Sequence, residues 1–502
     1  MLPHLFRTKN LDAILQESEI SEHQLKRSLT TFDLVMLGIG AIICTGIFAV
    51  VGTAAAGGAE HLGAGPAVII SFLITAVACA FCALCYAEFA SIVPIAGSAY
   101  TYSYATLGEL IAWIIGWDLV IEYAIGNVAV AISWAAYFHQ LVEGFGFHIP
   151  AWMCVDYRTS YQAVIAIEKG VELTPDMAFA YEAWLSHPTI GDIPIIFNFL
   201  AAGIVGLITW LLVYGVKESA RVNNYMVILK VAILLFFILV GATYVRPANW
   251  TPFMPNGFSG VWTAASLIFF AFIGFDAIST AAEECKNPER DMPRGILWSL
   301  AICTFIYVAT AAVLTGIIPW NQLGVADPLA AALAYLQLDW AAGIVSFGAV
   351  IAMTAVLLVF QLGQPRIFFS MSRDGLLPPV FSKVHPVHKT PYVTTIWTGV
   401  IVAVFAGFAN LNEIVELTNI GTLFAFVLVC LGILILRKKD PQRKRSFRTP
   451  LVPFVPLMGI AMCVYLMLGL PWVTWIRFGV WLIAGVVLYF AYGFWKSKIR
   501  TS

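Results

Sequence analysis

Four ionisable side chains lie inside long apolar stretches of this sequence: Asp118, Glu122, Lys230 and Asp276. A charge in hydrocarbon is costly, so such groups normally pair with each other or face a polar cavity. About 13 Å of helix separates Lys230 from Arg221, the nearest charged residue before it, which is too far for its amine to reach the membrane surface. An amine that meets wet and dry surroundings in turn can bind and release a proton. The alternative is a fixed charge bonded to unwound carbonyls.

The three acidic residues allow more than one role. Asp118 and Glu122 are four residues apart and therefore share one face of a helix. They either line a cavity that receives a cationic side chain or form a structural pair near a helix end. Asp276 is expected to cap a helix by accepting hydrogen bonds from the N–H groups of Ile278 and Ser279. Such a cap predicts that the surrounding apolar run is broken at residues 271–275.

The apolar run 34–56 predicts unwound backbone, whose free amides and carbonyls are a second set of groups that could bind a ligand. Its length fits a membrane span, but each of its three central glycines weakens a helix by about 1 kcal/mol. We expect two half-helices with a break between Ile42 and Gly46. Amides near Thr45 and Gly46 suit a carboxylate, and carbonyls near Ile42 suit an ammonium, so the ligand predicted is an amino acid. The alternative is that the glycines only permit close helix packing.

The composition places all of these groups in an integral membrane protein. Of 502 residues, 60% are hydrophobic and only 11% are charged, far from the composition of a soluble domain. No basic patch indicates nucleic acid, and no cleavable signal peptide is expected before the first span. The nine cysteines imply no disulfide framework. Cys79, Cys82 and Cys85 recur every third residue, which favours helix packing over metal binding.

Apolar runs predict an all-α fold of twelve transmembrane helices. Lysine and arginine number 23 on the side that holds both termini and 4 on the other, with Lys230 inside a span. This asymmetry predicts that both termini are cytoplasmic. The predicted spans are 32–56, 66–91, 108–142, 192–214, 221–245, 260–284, 294–318, 341–372, 391–408, 414–436, 452–470 and 474–495.

The interruptions in the first and sixth spans indicate which part of the chain forms the transport core and which parts are additional segments. Broken helices at corresponding positions of two five-helix halves are typical of inverted-repeat transporters with a midplane site. The loop 144–190 is interpreted as a solvated connection. The basic segment 437–450 is interpreted as a topology signal or as a site for anionic lipid. The predicted organisation is an N-terminal arm 1–31, a ten-helix core 32–436, a basic linker 437–450, two accessory helices 451–495 and a tail 496–502.

Four motifs together resemble the cationic amino acid transporter family of the amino acid, polyamine and organocation superfamily. The resemblance extends from about residue 27 to the C-terminus, and the chain length resembles that of a bacterial homologue. It implies a leucine-transporter-type fold, with two inverted repeats of five helices plus two more. The motifs are GIGAIICTGIF at 38–48, YAEFASIVPIAGSAYTYSYATLGE at 86–109, FFAFIGFDAISTAAEECKNPERDMPRGI at 269–296 and QPRIFFSMSRDGLLP at 364–378.

The resemblance also implies roles for individual residues. Thr45 and Gly46 match the amides that hold the substrate carboxylate, and the carbonyls of Ile42, Phe270 and Ile273 match those that meet the ammonium. The side chain of Phe270 is expected to close over the substrate from outside. Lys230 matches a lysine of proton-coupled relatives. Where relatives often have Gly-Ser-Gly, this chain has Cys-Thr-Gly at 44–46. The unwound residues Ile43 and Ala271, with Asp276, complete the predicted site.

The function expected is secondary active transport in the cell membrane by alternating access, as proton-coupled uptake of L-amino acids such as alanine or cationic amino acids. Exchange of amino acids without proton coupling is the alternative. A membrane-embedded enzyme or receptor is disfavoured, because the sequence has no paired-histidine metal motif or nucleophile elbow. No metal and no cofactor other than a coupling proton is predicted. The expected partners are the amino acid and the lipid bilayer.

Overall fold

The structure is a computed structural model that describes residues 7–8, 29–58, 61–92, 98–170, 175–191, 193–214, 220–385 and 390–498. Most of the predicted N-terminal arm 1–31 and residues 499–502 of the predicted tail lie outside these ranges.

Helices lie at the positions of all the predicted spans, and we number them helix 1 to helix 12 in that order. Helices 1, 3, 6 and 12 consist of more than one helical piece. Their bounds are Thr31–Ile42 with Gly46–Val50 and Val51–Ala56, Val68–Ile92, Glu109–Val120 with Ile121–Ile125 and Gly126–Gly144, Phe199–Val213, Ala220–Ala242, Gly257–Ile268 with Phe269–Phe272 and Asp276–Glu284, Pro288–Ile317, Asp339–Arg373, Tyr392–Phe408, Leu411–Lys439, Phe454–Leu468, and Trp472–Leu488 with Tyr489–Gly493 and Phe494–Lys496.

Most of these helices have the length and apolarity of membrane spans. Among the described residues, eight helices meet both conditions, and the two bent halves of helix 1 together make a ninth. Helices 4, 9 and 11 are apolar but shorter, at 15, 17 and 15 residues. The protein is therefore a multi-pass membrane protein, while the exact count of twelve spans stays a prediction.

Helices 1 and 6 lie at the centre of the bundle. The most apolar window of helix 6 is 89% buried within the protein, whereas that of helix 12 is only 22% buried. Helix 7 packs along both helix 1 and helix 2, and helix 8 packs along helix 3. The fifth helix contacts helices 1, 7 and 8. Side chains from the surrounding helices can therefore reach the backbone of helix 1.

The described residues of the loop 144–190 include regular structure, and its interpretation as a solvated connection stays a prediction. Its two helices, Tyr157–Glu168 and Pro175–Ser186, pack against each other. They are followed by a short hairpin of two-residue strands, Thr189–Ile190 and Ile193–Pro194. Aromatic side chains hold the helix pair together, since the Trp184 ring lies 5.8 Å from the ring of Tyr157.

Carboxylates tie this loop to the rest of the protein. Glu413, at the start of helix 10, contacts Arg158 of the loop at 2.6 Å and Arg477 of helix 12 at 3.0 Å. Asp176, in the second loop helix, lies beside Asp327 of the segment between helices 7 and 8. Burial, with the charge of Asp327, raises the pKa of Asp176 to about 7. This loop therefore contains a group that titrates near neutral pH.

The basic linker 437–450 is also folded, and it surrounds a buried carboxylate. Glu88, near the end of helix 2, is fully buried and accepts two 2.8 Å hydrogen bonds from Arg437. Arg445 lies 3.0 Å from the same carboxylate, and the Thr449 amide donates to it at 2.8 Å. We call these four residues the Glu88 clamp. The linker is thus an ordered connection that fastens helix 10 to helix 2.

Candidate functional site

Helix 1 is interrupted where the glycine pattern predicts. Its first half ends at Ile42, and Ile43 is extended, with φ −73° and ψ 97°. The chain resumes at Gly46 as a wide helical turn, and the two halves are bent by 43°. The Ile43 amide still donates to the carbonyl of Ile39 at 2.9 Å. The unwound stretch is therefore short and consists of Ile43 and Cys44.

Helix 6 is interrupted at the predicted residues as well. A tight turn at Phe269–Phe272 ends its first half, and Ile273 is extended, with ψ 139°. Gly274 then has φ +111°, a conformation that favours glycine. A second helix of 3₁₀ type covers Asp276–Glu284. Its nine residues are long for this geometry, in which runs above about four residues are uncommon.

The two interruptions touch each other through backbone. A Cβ atom placed on Gly46 would lie 2.2 Å from the Ala271 Cα atom. A Cβ atom on Gly274 would lie 3.0 Å from the Ala41 carbonyl carbon. Both contacts require glycine, because a side chain would overlap the opposite helix. The structure thus places the unwound backbone of helix 1 directly against that of helix 6.

Two side chains satisfy carbonyls at the end of the first half of helix 1. The Lys230 ammonium of helix 5 donates to the Gly40 carbonyl at 2.7 Å, and it is 1% exposed. The Tyr307 hydroxyl of helix 7 donates to the Ile42 carbonyl at 2.8 Å. A carbonyl oxygen has two lone pairs, so Ile42 can still accept a bond from a substrate ammonium. These contacts answer the requirement that unwound backbone inside a membrane be satisfied by protein.

Two further side chains donate hydrogen bonds to carbonyls in the second half of helix 1 and in the first half of helix 6. The Tyr137 hydroxyl of helix 3 donates to the Phe48 carbonyl at 2.6 Å. The Asn419 amide of helix 10 donates to the carbonyls of Ser266 and Leu267, both at 2.9 Å. Helices 3, 5, 7 and 10 therefore each contribute one polar group to the backbone around the interruptions.

The Lys230 amine bonds to a carbonyl two residues before Ile42. Its partner Gly40 lies in the last turn of the regular helix, not among the unwound residues expected from the sequence, and Tyr307 donates to the Ile42 carbonyl. The lysine also lies close to the thiols of Cys44 and Cys303. The bond to Gly40 thus joins helix 5 to the part of helix 1 that precedes the break.

The other face of the first interruption presents amides. The backbone N–H groups of Thr45 and Gly46 lie next to the Cys44 sulfur, a weak acceptor. The Thr45 hydroxyl is buried and has no hydrogen-bond partner among the described residues. These donors could bind a carboxylate better than they bind a thiol sulfur. The substitution of Cys44 for the usual glycine therefore leaves this part of the predicted site in place.

Asp276 does not cap a helix, so the predicted bonds from Ile278 and Ser279 are wrong. Neither of its carboxylate oxygens has a hydrogen-bond partner among the described residues, and the side chain is fully buried. Its carboxyl group instead lies beside that of Glu122. The tight 3₁₀ geometry from Asp276 onwards changes the direction of the amides that an α-helix would have offered.

Asp118 and Glu122 lie within helix 3 and not near either of its ends, so the position expected for a structural pair is wrong, while their role stays a prediction. Asp118 is roughly 13 Å along helix 3 from its start, and both residues are at most 2% exposed. Glu122 faces Asp276 and the Thr422 hydroxyl. Asp118 points towards Gly421 of helix 10, and its oxygens have no partner among the described residues. Helix 3 widens over Ile121–Ile125, as often occurs at functional sites.

The predicted site residues are brought together and closed off from solvent. Thr45 and Asp276 are fully buried, while Phe270 is 1% and Ile273 is 2% exposed. Phe270 lies in the turn before the sixth break, with its carbonyl accepting from the Ile273 amide at 3.4 Å. The structure therefore represents a conformation in which neither side of the membrane has access to the interruptions.

The cysteines lie where helices pack. All nine are free, and all except Cys154 are buried. The Cys82 sulfur lies 3.4 Å from that of Cys463 in helix 11 and 4.0 Å from that of Cys430 in helix 10. Within the described part of the chain, no group of three His, Cys, Asp or Glu residues could hold a metal ion.

Sequence reasoning missed Tyr137, Tyr307 and Asn419. They were passed over among the many aromatic and polar residues of the spans, because nothing local distinguishes a capping tyrosine from one that packs. A signal exists only in hindsight: each is a hydrogen-bonding group inside an apolar helix, where an unsatisfied polar atom is costly.

Comparison with known proteins gives consistent similarities. The sequence model of the family described as amino acid permease matches residues 29–491. A branched-chain amino acid permease of Bacillus subtilis is 48% identical over 99% of both chains. A methylthioribose transporter of the same organism is 47% identical over 97% of both chains. A vacuolar cationic amino acid transporter of Arabidopsis thaliana is 36% identical over 87% of this chain and 68% of its own.

Proposed function

This chain belongs to the amino acid permease family, and from that premise we propose that it carries L-amino acids across the cell membrane by alternating access, driven by protons. The family was predicted from the four motifs and is confirmed by the match over 29–491. The named relatives are transporters and not enzymes. The observation that carries the proposal is the contact between the two interrupted helices at Gly46 and Ala271.

The proposed binding mode uses backbone groups on both sides of this contact. Amides of Thr45 and Gly46 hold the substrate carboxylate, where they now lie beside a thiol sulfur. The second lone pair of the Ile42 carbonyl, together with carbonyls of Phe270 and Ile273, accepts from the ammonium. Both charged ends are thereby recognised without a charged side chain. Because the residues are closed off here, binding requires that the helices first separate on one side of the membrane.

Coupling to protons is proposed to run through the Lys230 amine. Its bond to the Gly40 carbonyl is a charge-assisted hydrogen bond in the dry interior, which is stronger than a neutral one. Loss of the proton weakens this bond and so loosens helix 5 from the first half of helix 1. A proton that stabilises one arrangement of these helices more than another links a pH gradient to the transport cycle.

The substrate side chain is proposed to be that of alanine or of a cationic amino acid. The buried pair Glu122 and Asp276, beside the break in helix 6, offers two carboxyl groups to a cationic side chain. The similarity to a branched-chain amino acid permease favours a second candidate, a neutral aliphatic substrate. The similar methylthioribose transporter shows that relatives at this identity include one named for a sugar substrate. We also propose that both termini are cytoplasmic, from the 23 to 4 distribution of basic residues.

The test is uptake into proteoliposomes that contain the purified full chain. An inward acidic gradient should accelerate uptake of at least one of labelled alanine, arginine and leucine, with methylthioribose as the alternative. Lys230→Ala should lose the acceleration yet retain exchange of internal for external substrate, since exchange need not return the empty carrier. Lys169→Ala, an exposed lysine of the external loop, is the matched control. Full acceleration in Lys230→Ala would assign coupling elsewhere, with Glu122 next to test, and uptake of methylthioribose alone would refute the amino acid assignment.

A further inference from the structure

A basic cavity of about 300 Å³ lies where helix 8 ends and the C-terminal segment passes over it. Three cationic side chains, Arg373, Lys496 and Lys498, line it, and none of the described lining residues is acidic. Two of the polar side chains in the lining are serines that bond to nearby backbone. Ser372 donates to the Pro378 carbonyl at 2.7 Å, and Ser382 donates to the Pro379 carbonyl at 2.8 Å. The three cations give the described lining a positive charge that suits an anion.

The cavity is built on rigid backbone. Gly375 has φ +83°, and a Cβ atom placed on it would lie 2.3 Å from the Lys496 carbonyl oxygen. The C-terminal segment can pass this closely only because a glycine ends the turn after helix 8. One step further along, the Lys498 amide donates to the Asp374 carbonyl at 3.1 Å. These two backbone contacts hold Lys496 and Lys498 beside the C-terminal end of helix 8.

A buried serine between the lysines fastens this segment to the protein. Ser497 is fully buried, and its hydroxyl donates to the carboxylate of Glu109, which also accepts from the Tyr489 hydroxyl at 2.7 Å. With φ −55° and ψ 127°, Ser497 departs from the helical geometry that ends at Lys496. Lys496 and Lys498, on either side of this anchor, both line the cavity.

The surroundings place this cavity at the level of lipid headgroups. Helix 12 exposes Ile483 and Val487 along the face that leads to the cavity, at 66% and 60%. Trp495, next to the lysines, is 67% exposed, and aromatic side chains of this kind concentrate at membrane interfaces. Acyl chains can therefore lie along helix 12 while a headgroup enters the cavity. Soluble phosphate would gain nothing from this apolar approach.

We propose that the cavity binds the phosphate group of an anionic phospholipid. The guanidinium of Arg373 offers paired donors that match phosphate oxygens, while the two lysines contribute point charges. Basic pockets between membrane helices on the cytoplasmic side are suited to such headgroups. Only the choice of the cytoplasmic leaflet rests on the topology proposed above. Binding in detergent micelles does not depend on topology or on transport, so failure of one proposal leaves the other standing.

The test is lipid binding to the purified full chain in detergent, followed by native mass spectrometry. Dioleoyl phosphatidylglycerol is titrated against dioleoyl phosphatidylcholine. The triple variant Arg373→Ala, Lys496→Ala, Lys498→Ala should bind phosphatidylglycerol about a hundredfold more weakly, because each cation near a membrane surface contributes about fivefold. Equal affinity of the wild-type protein and this variant for phosphatidylglycerol would overturn the proposal, as would equal wild-type binding of the two lipids.

Two controls keep the result interpretable. The matched variant Lys286→Ala, Arg290→Ala, Arg294→Ala removes three charges from exposed positions outside both the cavity and the linker 437–450, and it should bind like the wild-type protein. The variant Arg373→Lys, Lys496→Arg, Lys498→Arg keeps the charge, and retained binding there separates loss of charge from misfolding. Inorganic phosphate is the competing source of the same chemistry. If it displaces phosphatidylglycerol at equal free concentration, the lipid assignment is wrong; if it does not, the apolar approach contributes as proposed.

Discussion

Substitution of Gly46 by alanine tests whether the contact between the two interrupted helices forms the site. The added Cβ atom would lie 2.2 Å from the Ala271 Cα atom and 2.7 Å from its amide nitrogen. Carbon atoms pack best at about 3.5 Å or more, so the two backbones must separate by roughly 1.3 Å. Neither atom belongs to a flexible side chain that could rotate away. The strain must therefore be taken up by displacement of helix 1 against helix 6.

The expected cost follows from this displacement. Overpacking of a well-packed interior typically costs about 1 to 3 kcal/mol. If that strain acts on the bound arrangement, the dissociation constant for the substrate rises by about 5-fold to 150-fold. Gly46→Val would add two more methyl groups at the same point, so it should also lower the melting temperature instead of leaving the fold intact.

Gly126→Ala in helix 3 is the matched control. Its Cβ atom would lie 3.4 Å from the nearest atom, a methyl of Thr418, which is ordinary contact. Both variants gain the same helix propensity of about 1 kcal/mol, so propensity cannot explain a difference between them. The assay is isothermal titration of the purified protein with the substrate identified by uptake, together with thermal unfolding. A Gly46→Ala protein with wild-type affinity and stability would refute the contact as a determinant of the site.

Three further predictions follow from other parts of the structure. Phe270→Ala should slow uptake while lowering stability by less than the roughly 3 to 5 kcal/mol of a buried aromatic truncation; normal uptake rates would refute its role as a lid. Glu88→Gln should destabilise the protein by about 3 to 5 kcal/mol, since it leaves the buried guanidinium of Arg445 without its carboxylate; an unchanged denaturation midpoint would contradict this. The pKa of Asp176 is raised to about 7 in the folded protein, so between about pH 4 and pH 7 the folded protein keeps a proton that the unfolded chain has lost. The stabilising contribution of this group is therefore present at pH 4 and is lost as the pH rises towards 7. Asp176→Asn should therefore melt higher than wild type at pH 8 and equally at pH 4; a pH-independent difference would contradict the assignment.

The position of the first interruption could be read from the sequence because its cause is local. Gly46 stands in an apolar run whose length fits a membrane span, and helix propensity depends on the residue itself. The sixth helix is also interrupted at the predicted residues, but the Asp276 cap from which that break was predicted does not form, and Gly274 with φ +111° lies there instead. The same reasoning identified Lys230 as an interior charge, because its distance from the membrane surface is a matter of helical rise. Family membership likewise followed from continuous motifs around these residues.

The partners of these groups were decided only by the tertiary structure. Lys230 bonds to a residue 190 positions away, and Tyr307 to one 265 positions away. Periodicity predicts which face of a helix a residue occupies but not how that helix is rotated against its neighbours, so it could not choose Gly40 over Ile42. Asp276 shows the same limit: a local rule predicted a helix cap, but packing placed its carboxyl group beside Glu122 of another helix. The sequence likewise indicated only a topology signal or a lipid site for the basic linker, whereas in the structure Arg437 bonds to Glu88, 349 residues before it. Buried polar groups find their partners through three-dimensional packing, since each must be satisfied wherever a neighbouring helix brings one within reach.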